Sequence, residues 1–481
     1  MIRTGEQYRA GLRDGREVWI DGERVADVTT HPAFKPIIDA KARMYDMAHE
    51  PAFRDQLTYV DDDGQTHSIF YRPPREPKDW ADKLNAIDLY MKEIGGVVTR
   101  VGDETIGEMW SLYDGRDLLA SIDPRFADNI DRHIRAVVEN DVFHVSANTD
   151  PKGDRSLAPQ DQDPDMMVRV VRETADGIVI RGAKYETAAA YADQAFLKPT
   201  VGAWSDDTLS DYAVGCIVKM GAPGVKHICR ASFASRGSAE DYPLGSRFDE
   251  VEALVVFDDV LIPWDDVFFY RHTRAAQYVR SSLHRYSAFP YVLRLRYVAD
   301  LLIGAAMWNA KQTGLEKLQA VREKLAELIC YREGIHAHLT AALALAERSP
   351  GGLLMPNQSI LYAGRVMACS QLPAMMHAAR ELCGGQLCVT PSAESFAAQG
   401  CGHWLNKFYT LNAQWCASDR RKLLAFARDL LTSDYAGHRT AFVQFAQAPH
   451  FNHLAATYHA FDFSGPLDFV RKAAGLSERV V

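Results

Sequence analysis

From about Thr30 to about Asn140 the apolar residues recur at three- and four-residue spacing, as at Ile87, Tyr90, Met91 and Ile94. That is the period of helices burying one face, and Gly95-Gly96 is a stop signal for the helix. Between about Asp141 and Pro263 the pattern shortens to β-type runs: MMVRVV (166–171), GIVIRG (177–182), AVGCIV (213–218) and ALVVF (253–257). The turn Ala175-Asp176-Gly177 predicts a hairpin between the first two. The last run ends in Asp258 and Asp259, resumes at Val260 and is cut by Pro263, which lacks a backbone donor, so the strand must stop there or lie at an edge. Beyond Tyr270 the helical period returns. Val321, Leu325, Leu328, Ile335 and Leu339 form a stripe in 320–348, with Pro350-Gly351-Gly352 expected to stop it. Three units follow, helical (1–140), β (141–270) and helical again (271–481), in an α+β chain that is mostly α.

Composition narrows the reading. At 481 residues the chain is long enough for two or three structural units, and 47% hydrophobic with 24% charged residues is ordinary for a soluble globular protein. A formal net charge of −9 opposes a nucleic-acid partner. The opening MIRTGEQYRAGLRDG lacks the apolar core of a secretory signal, and the most apolar stretch, 297–308, is interrupted by Asp300 and too short to span a bilayer. A cytoplasmic protein with no membrane contact is predicted. The eight cysteines, at 216, 229, 330, 369, 383, 388, 401 and 416, form no CxxC pair, so neither a metal site nor a disulfide framework is expected. No GxGxxG lies between a strand and a helix and no Walker loop is present, so any flavin must be held by another device.

The wording of DYPLGSRFDEVEALVVFDDVLIPWDDVFFY (241–270) is far more specific than its pattern. With ICRASF (228–233), LRDGREVWIDGERVADVTTHPAF (12–34) and GAK (182–184), it resembles the flavin-dependent aromatic hydroxylases typified by the oxygenase component of 4-hydroxyphenylacetate 3-monooxygenase. The resemblance continues to Arg439 and so covers nearly the whole chain. It implies an acyl-CoA dehydrogenase-like fold, with an N-terminal helical domain, a middle β-barrel domain and a C-terminal helical bundle. Such bundles pack across subunits, which implies a homotetramer built as a dimer of dimers. It also implies reduced FAD (FADH2) from a separate NAD(P)H:flavin reductase, O2 as co-substrate, and hydroxylation of a small aromatic molecule. The oxidant implied is a flavin C4a-hydroperoxide, which survives only where water is excluded. The family's iron–sulfur relative, 4-hydroxybutyryl-CoA dehydratase, needs cluster cysteines three residues apart, a spacing absent here.

The family holds its flavin through three segments. In SANTDPKGDRS (146–156), Ser146, Ala147 and Asn148 match the backbone that meets the isoalloxazine ring. Lys152, Gly153, Asp154 and Arg155 match the part that meets the ribityl and phosphate groups, Arg155 offering a planar fork suited to pyrophosphate. Read from the residues alone, DPKGDR is a solvated turn. Thr187 in GAKYETAAA is the candidate for the threonine near the flavin N5 edge, offset by one position; otherwise it is a strand-end hydroxyl capping a loop. Ala448, Pro449 and His450 fall at the last flavin-contacting stretch, although the family's Tyr-Glu after the arginine has become Val443-Gln444. The glycine pair in ELCGGQLCVTP (381–391) either approaches flavin across a subunit boundary or caps a helix.

The family grips its phenol with an arginine, a tyrosine four residues later and a histidine, the arginine stabilising a phenolate and so enriching the ring in electrons. Arg100 in VTRVGDET stands at the matching place. Placed on a helix, it has Glu104 rather than tyrosine on the same face, and the histidine position is Ser146. His144, two residues away on a strand, would point the same way at a different depth and is a partial substitute. The alternative for Arg100 and Glu104 is a surface ion pair worth under about 1 kcal/mol. With Arg100, Glu104 and Ser146 as the catalytic set, a carboxylate in a dry pocket accepts an N–H, pairs with an amine or acts as a base. The expected substrate is therefore amino-aromatic, heteroaromatic or carrier-linked rather than a simple 4-hydroxyphenyl acid. Competing readings are an acyl-CoA dehydrogenase-like flavoenzyme that keeps its flavin tightly bound, an N-oxygenase, and a non-catalytic family member acting as an interaction partner.

Overall fold

The motif at 12–34 folds back at Asp21-Gly22, where both residues take positive φ (52° and 83°), as a tight two-residue hairpin turn requires. Its arms, Glu17–Ile20 and Glu23–Val25, pair antiparallel, and Glu17–Ile20 also pairs in parallel with Val225–Cys229. The first 140 residues are therefore not all helical. Val18, Ile20 and Val25 are buried, and this alternation places the hairpin at the edge of the sheet built from the middle of the chain. The computed structural model describes residues 2–199, 207–446 and 448–476.

The β unit consists of two sheets. One has six strands in the order Glu23–Val25, Glu17–Ile20, Val225–Cys229, Glu252–Pro263, Gly177–Thr187, Arg169–Glu173; the other has four, Val267–Tyr270, Val214–Lys219, Gln194–Leu197, His144–Ala147. A bridge between Thr149 and Tyr185 ties the second sheet to the first. The strand runs read from the sequence all lie here, and Arg169–Glu173 and Gly177–Thr187 form the expected hairpin. The interruption at Asp258-Asp259 is a bulge: the register against Gly177–Thr187 shifts between Phe257 and Val260, and Asp259 takes φ 53°. The bulged carboxylates turn outward to Lys226 (2.8 Å) and Arg181 (2.7 Å). The strand stops at Pro263.

Ahead of the sheets, Pro77–Ile94 ends at Gly95 with φ 68°, and Asp103–Asp114 and Pro124–Asn140 complete the helical layer. After them, His284–Thr313, Gln319–Ala344 and Gln358–Cys383 pack on one another, and His284–Thr313 also lies against Asp103–Asp114. Pro350-Gly351-Gly352 does not stop the second of these. The helix ends at Ala344, and the Pro-Gly-Gly is the turn of a small hairpin joining Glu347–Arg348 to Leu354–Met355. That hairpin is pulled out of helical geometry by tertiary bonds, Ser349 and Gly351 donating to Asp114 (2.6 and 3.1 Å). Gly384 caps Gln358–Cys383 with φ 73°, the cap expected of the glycine pair. Among the described residues no helix is long and apolar enough to cross a membrane.

One close approach positions the site. A Cβ on Gly107 would lie 2.9 Å from the backbone nitrogen of Ser287, so Asp103–Asp114 reaches His284–Thr313 only because residue 107 has no side chain. Gly107→Ala is expected to force the helices apart and lower stability by about 1–3 kcal/mol; unchanged urea unfolding would show that the interface relaxes freely.

Candidate active site

Arg100 does not lie on a helix with Glu104. It sits in the loop before Asp103–Asp114, which begins after Gly102 at φ 111°, so the expected same-face pairing is replaced by a loop residue above a helix's first turn. The Glu250 carboxylate clamps this loop, accepting from the Thr99 amide (2.9 Å), the Thr99 hydroxyl (2.8 Å) and the Arg100 amide (2.6 Å). Arg439 donates to the same carboxylate from Asp434–Phe445 (3.1 Å). Lys41 holds the far side of the loop through Val101 O (2.5 Å). Arg100 itself is half-buried, its guanidinium carbon 5.8 Å from the Phe442 ring centre, and its buried Nε meets no acceptor.

Glu104 and Glu108, four residues apart, are both buried on Asp103–Asp114. Arg294 pairs with Asp103 at 2.6 Å and stands 3.9 Å from Glu104 Oε1, which is left without a donor. Burial pushes the Glu104 carboxyl up to about 8, with Asp103 and Glu250 adding to the rise and Arg294 and Arg100 opposing it. Ser146 donates to Glu108 (2.6 Å) and accepts from Lys198 (2.6 Å), while Lys198 pairs with Glu108 at 2.5 Å. Burial lowers the Lys198 ammonium to about 8 against the pull of Glu108. His144 does not stand in for a partner of Ser146. It is fully buried, edge-on to His133 at 5.1 Å and accepting from Gln194 (2.9 Å), and burial lowers it to about 3, so it is neutral.

The proposed cofactor residues fall into distinct places. Ala147 is buried and Asn148 half-buried where the strand His144–Ala147 ends. The turn is pinned by Lys184, which pairs with Asp150 (2.5 Å) and donates to Asn148 O (3.3 Å). Lys152, Gly153, Asp154 and Arg155 are exposed beyond it, and Lys152 and Arg155 make no ion pair among the described residues. Two uncommitted cations at the exit of a buried strand suit an extended, anionic flavin. Gly153 takes φ 54°, and a Cβ there would fall 1.9 Å from Gln162 Oε1. Thr187 is buried at the end of Gly177–Thr187, opposite Glu252. Ala448, Pro449 and His450 lead into His450–Ala460, which packs on Gln358–Cys383; no hydrogen bond or ion pair joins them to 146–155 among the described residues. From the C-terminal segment, Phe442 lies against Arg100, and Arg439 shares the Glu250 carboxylate with the Arg100 amide.

Sequence reasoning missed Glu108, Lys198, Glu186 and Glu250. A signal existed for two of them: Glu108 shares a helical face with Glu104 and apolar neighbours, and Lys198 closes the strand Gln194–Leu197. Glu186 gives none, since a charged residue in a strand reads as solvent-facing. It is instead buried, on the same face as Lys184, while Tyr185 between them is 46% exposed. Neither Glu186 oxygen meets a hydrogen-bond donor, and burial pushes its carboxyl up to about 8 against the charges of Arg100 and Lys198. The native state thus holds protons on Glu104 and Glu186 that the unfolded chain releases near 4.5. Stability from these groups is full below that value and is lost as pH rises through about 8. The melting temperature is expected to fall over this range, and Glu186→Gln to flatten the fall by on the order of a few kcal/mol; an identical slope in the variant would refute the assignment.

Models of the 4-hydroxyphenylacetate 3-hydroxylase N-terminal and C-terminal regions match residues 4–269 and 274–475. The 4-hydroxyphenylacetate 3-monooxygenase oxygenase component of Thermus thermophilus is 28% identical over 449 residues, 92% of each chain. The FADH(2)-dependent monooxygenase TftD of Burkholderia cepacia is 27% identical over 483 residues, 96% of this chain and 90% of that one. The crystal structure of a 4-hydroxyphenylacetate 3-monooxygenase oxygenase component (HpaB) complexed with FAD superposes with a TM-score of 0.91 at 27% identity, covering 98% of both chains. At the level of fold alone, butyryl-CoA dehydrogenase of Megasphaera elsdenii superposes with a TM-score of 0.51 at 12% identity, over 95% of this chain and 97% of that one. Matched by both halves of the model from its fourth residue to its 475th, the chain belongs to the 4-hydroxyphenylacetate 3-hydroxylase family.

Proposed function

We propose that this chain is the oxygenase component of a two-component flavin-dependent monooxygenase, which uses reduced FAD and O2 to hydroxylate a small aromatic molecule. The observation that carries the reading is Arg100: a half-buried guanidinium with an unbonded Nε, in a clamped loop, facing Phe442 and flanked by buried carboxylates. Bound reduced FAD supplies the two electrons with which one atom of O2 enters the ring and the other leaves as water.

The side chains divide the remaining tasks. Arg100 holds the phenol oxygen and favours its ionised form, raising electron density at the adjacent ring carbon. Glu104, whose Oε1 meets no donor, accepts the phenol proton in its ionised form, which Arg294 and Arg100 favour against burial. Ser146, locked between Glu108 and Lys198, is a positioning residue at the edge of the same grid. Lys152, Gly153, Asp154 and Arg155 are assigned to the flavin phosphates, Ser146, Ala147, Asn148 and Thr187 to its ring, and Ala448, Pro449 and His450 to its far end. Lys152 and Arg155 support the first assignment by their charge, and Ala147 and Thr187 the second by their burial beside the Lys184 anchor.

A separate NAD(P)H:flavin reductase is the proposed partner, and a cytoplasmic location suits both that supply and eight cysteines that are all unpaired thiols. A homotetramer is favoured by the apolar surface of the last two helices. On His450–Ala460 and Ser464–Ala474, Phe451, Tyr458 and Phe469 are 68%, 64% and 76% exposed, a patch that a second copy would cover.

Three outcomes are expected. The purified protein should be nearly colourless and consume oxygen only when given reduced FAD; a yellow protein indifferent to oxygen would instead favour the acyl-CoA dehydrogenase-like reading. Arg100→Gln should lower kcat/KM for a phenolic substrate on the order of 10²–10³-fold while reduced-FAD affinity is kept, and comparable turnover would remove Arg100 from the chemistry. Light scattering should give the mass of four chains, with Phe469→Asp shifting it to smaller species; a monomeric wild type would rule out the tetramer.

A further inference from the structure

The buried acids around Arg100 are unequally supplied with donors. Asp103, Glu104, Glu108, Glu186 and Glu250 lie there among Arg100, Lys198, Arg294 and Arg439, with Lys41 on the far side of the loop. Three pairs are made, Glu108 with Lys198 at 2.5 Å, Asp103 with Arg294 at 2.6 Å and Glu250 with Arg439 at 3.1 Å. Glu104 has Arg294 at 3.9 Å as well as Arg100 nearby, whereas Glu186 has Arg100 and Lys198 nearby and bonds to neither. Glu186 is the more isolated of the two: it is 97% buried, and both its oxygens lack a donor. A residue at this place, opposite Ala253 on the neighbouring strand, would be more stable as almost any apolar side chain. A buried carboxyl whose two oxygens both lack a donor points to a positively charged, hydrogen-bonding group that arrives with a ligand.

We propose that Glu186 is a specificity determinant that takes the protonated amine of an amino-bearing phenol whose hydroxyl oxygen is held by Arg100. This rests on the reading of Arg100 as the phenol anchor. The ammonium displaces the carboxyl proton and donates its N–H groups to the resulting Glu186 carboxylate. A neutral phenol and a phenol bearing its own carboxylate bring no positive charge to displace the Glu186 proton, so the amine ranks first. The groups that face Glu186 are Arg100 from the loop, Glu108 from Asp103–Asp114, Lys198 beyond Gln194–Leu197 and Lys184 on its own strand, the last already committed to Asp150. Because burial favours the protonated carboxyl in the free protein, binding an ammonium there expels a proton.

Tyramine, 4-ethylphenol and 4-hydroxyphenylacetate share a ring and differ in the charge at the end of the chain. Anaerobic titration calorimetry of the full-length protein with reduced FAD, in buffers of different ionisation heat near neutral pH, tests the ranking. Tyramine is expected to bind about thirtyfold more tightly than 4-ethylphenol and to release part of a proton. In Glu186→Gln the preference should fall to near one and the proton release should vanish. Equal binding of the amine and the neutral phenol by the wild type, or an unchanged preference in the variant, would overturn the assignment; the wild-type ranking decides even if the variant does not fold. Oxygen-dependent turnover of 4-ethylphenol with no amine preference would remove only the role of Glu186. Failure to bind reduced FAD would remove the monooxygenase reading itself.

Discussion

A single carboxylate holds the site together. Glu250 lies just before the strand Glu252–Pro263, yet it accepts hydrogen bonds from the loop that carries Arg100 and from Arg439 near the end of the chain. Three regions distant in sequence therefore converge on one fully buried anion. A charge taken out of water is tolerated only when its oxygens are filled by donors, so each region is obliged to adopt the geometry the others need. The neighbouring Asp249 does the same for the ICRASF motif, accepting from Arg230 (2.6 Å), the Ser232 hydroxyl (2.8 Å) and the Phe233 amide (2.6 Å). The most distinctive words of the sequence are thus a set of donors and the adjacent acidic pair that receives them.

Much of the architecture was legible for a simple reason. Alternation and helical period report burial directly, and the Asp-Gly turn, the Asp-Asp bulge and the Pro263 stop each have a local stereochemical cause. Errors arose where a distant contact overrode a local preference. Pro350-Gly351-Gly352 was expected to end a helix, but Asp114 draws that segment into a hairpin from more than two hundred residues away in the chain. Arg100 was placed on a helix because Glu104 follows at the right interval, although Gly102 followed by Asp103 and Glu104 is itself a start signal, a free-turning cap ahead of acidic first-turn residues. Glu186 was invisible because nothing in a strand pattern distinguishes a charge facing water from one facing a core.

The same physics separates what is rigid from what is chemically responsive. Lys198, Glu108 and Ser146 satisfy one another and form a fixed wall. Glu104 and Glu186 are left short of donors, and their proton affinities are drawn toward neutrality in consequence. Arrangement within one grid, more than the choice of residue type, makes one acid a strut and another a group able to exchange a proton or meet a ligand.

The parallel pairing of Glu17–Ile20 with Val225–Cys229 bears on how the protein is made. The strand that this hairpin needs follows it by about two hundred residues. During synthesis the sheet edge at Val18 and Ile20 cannot close until that strand has been made, a little under halfway along the 481 residues. That delay leaves an apolar edge open during synthesis, which gives any chaperone that shelters nascent chains a place in the route to an active molecule.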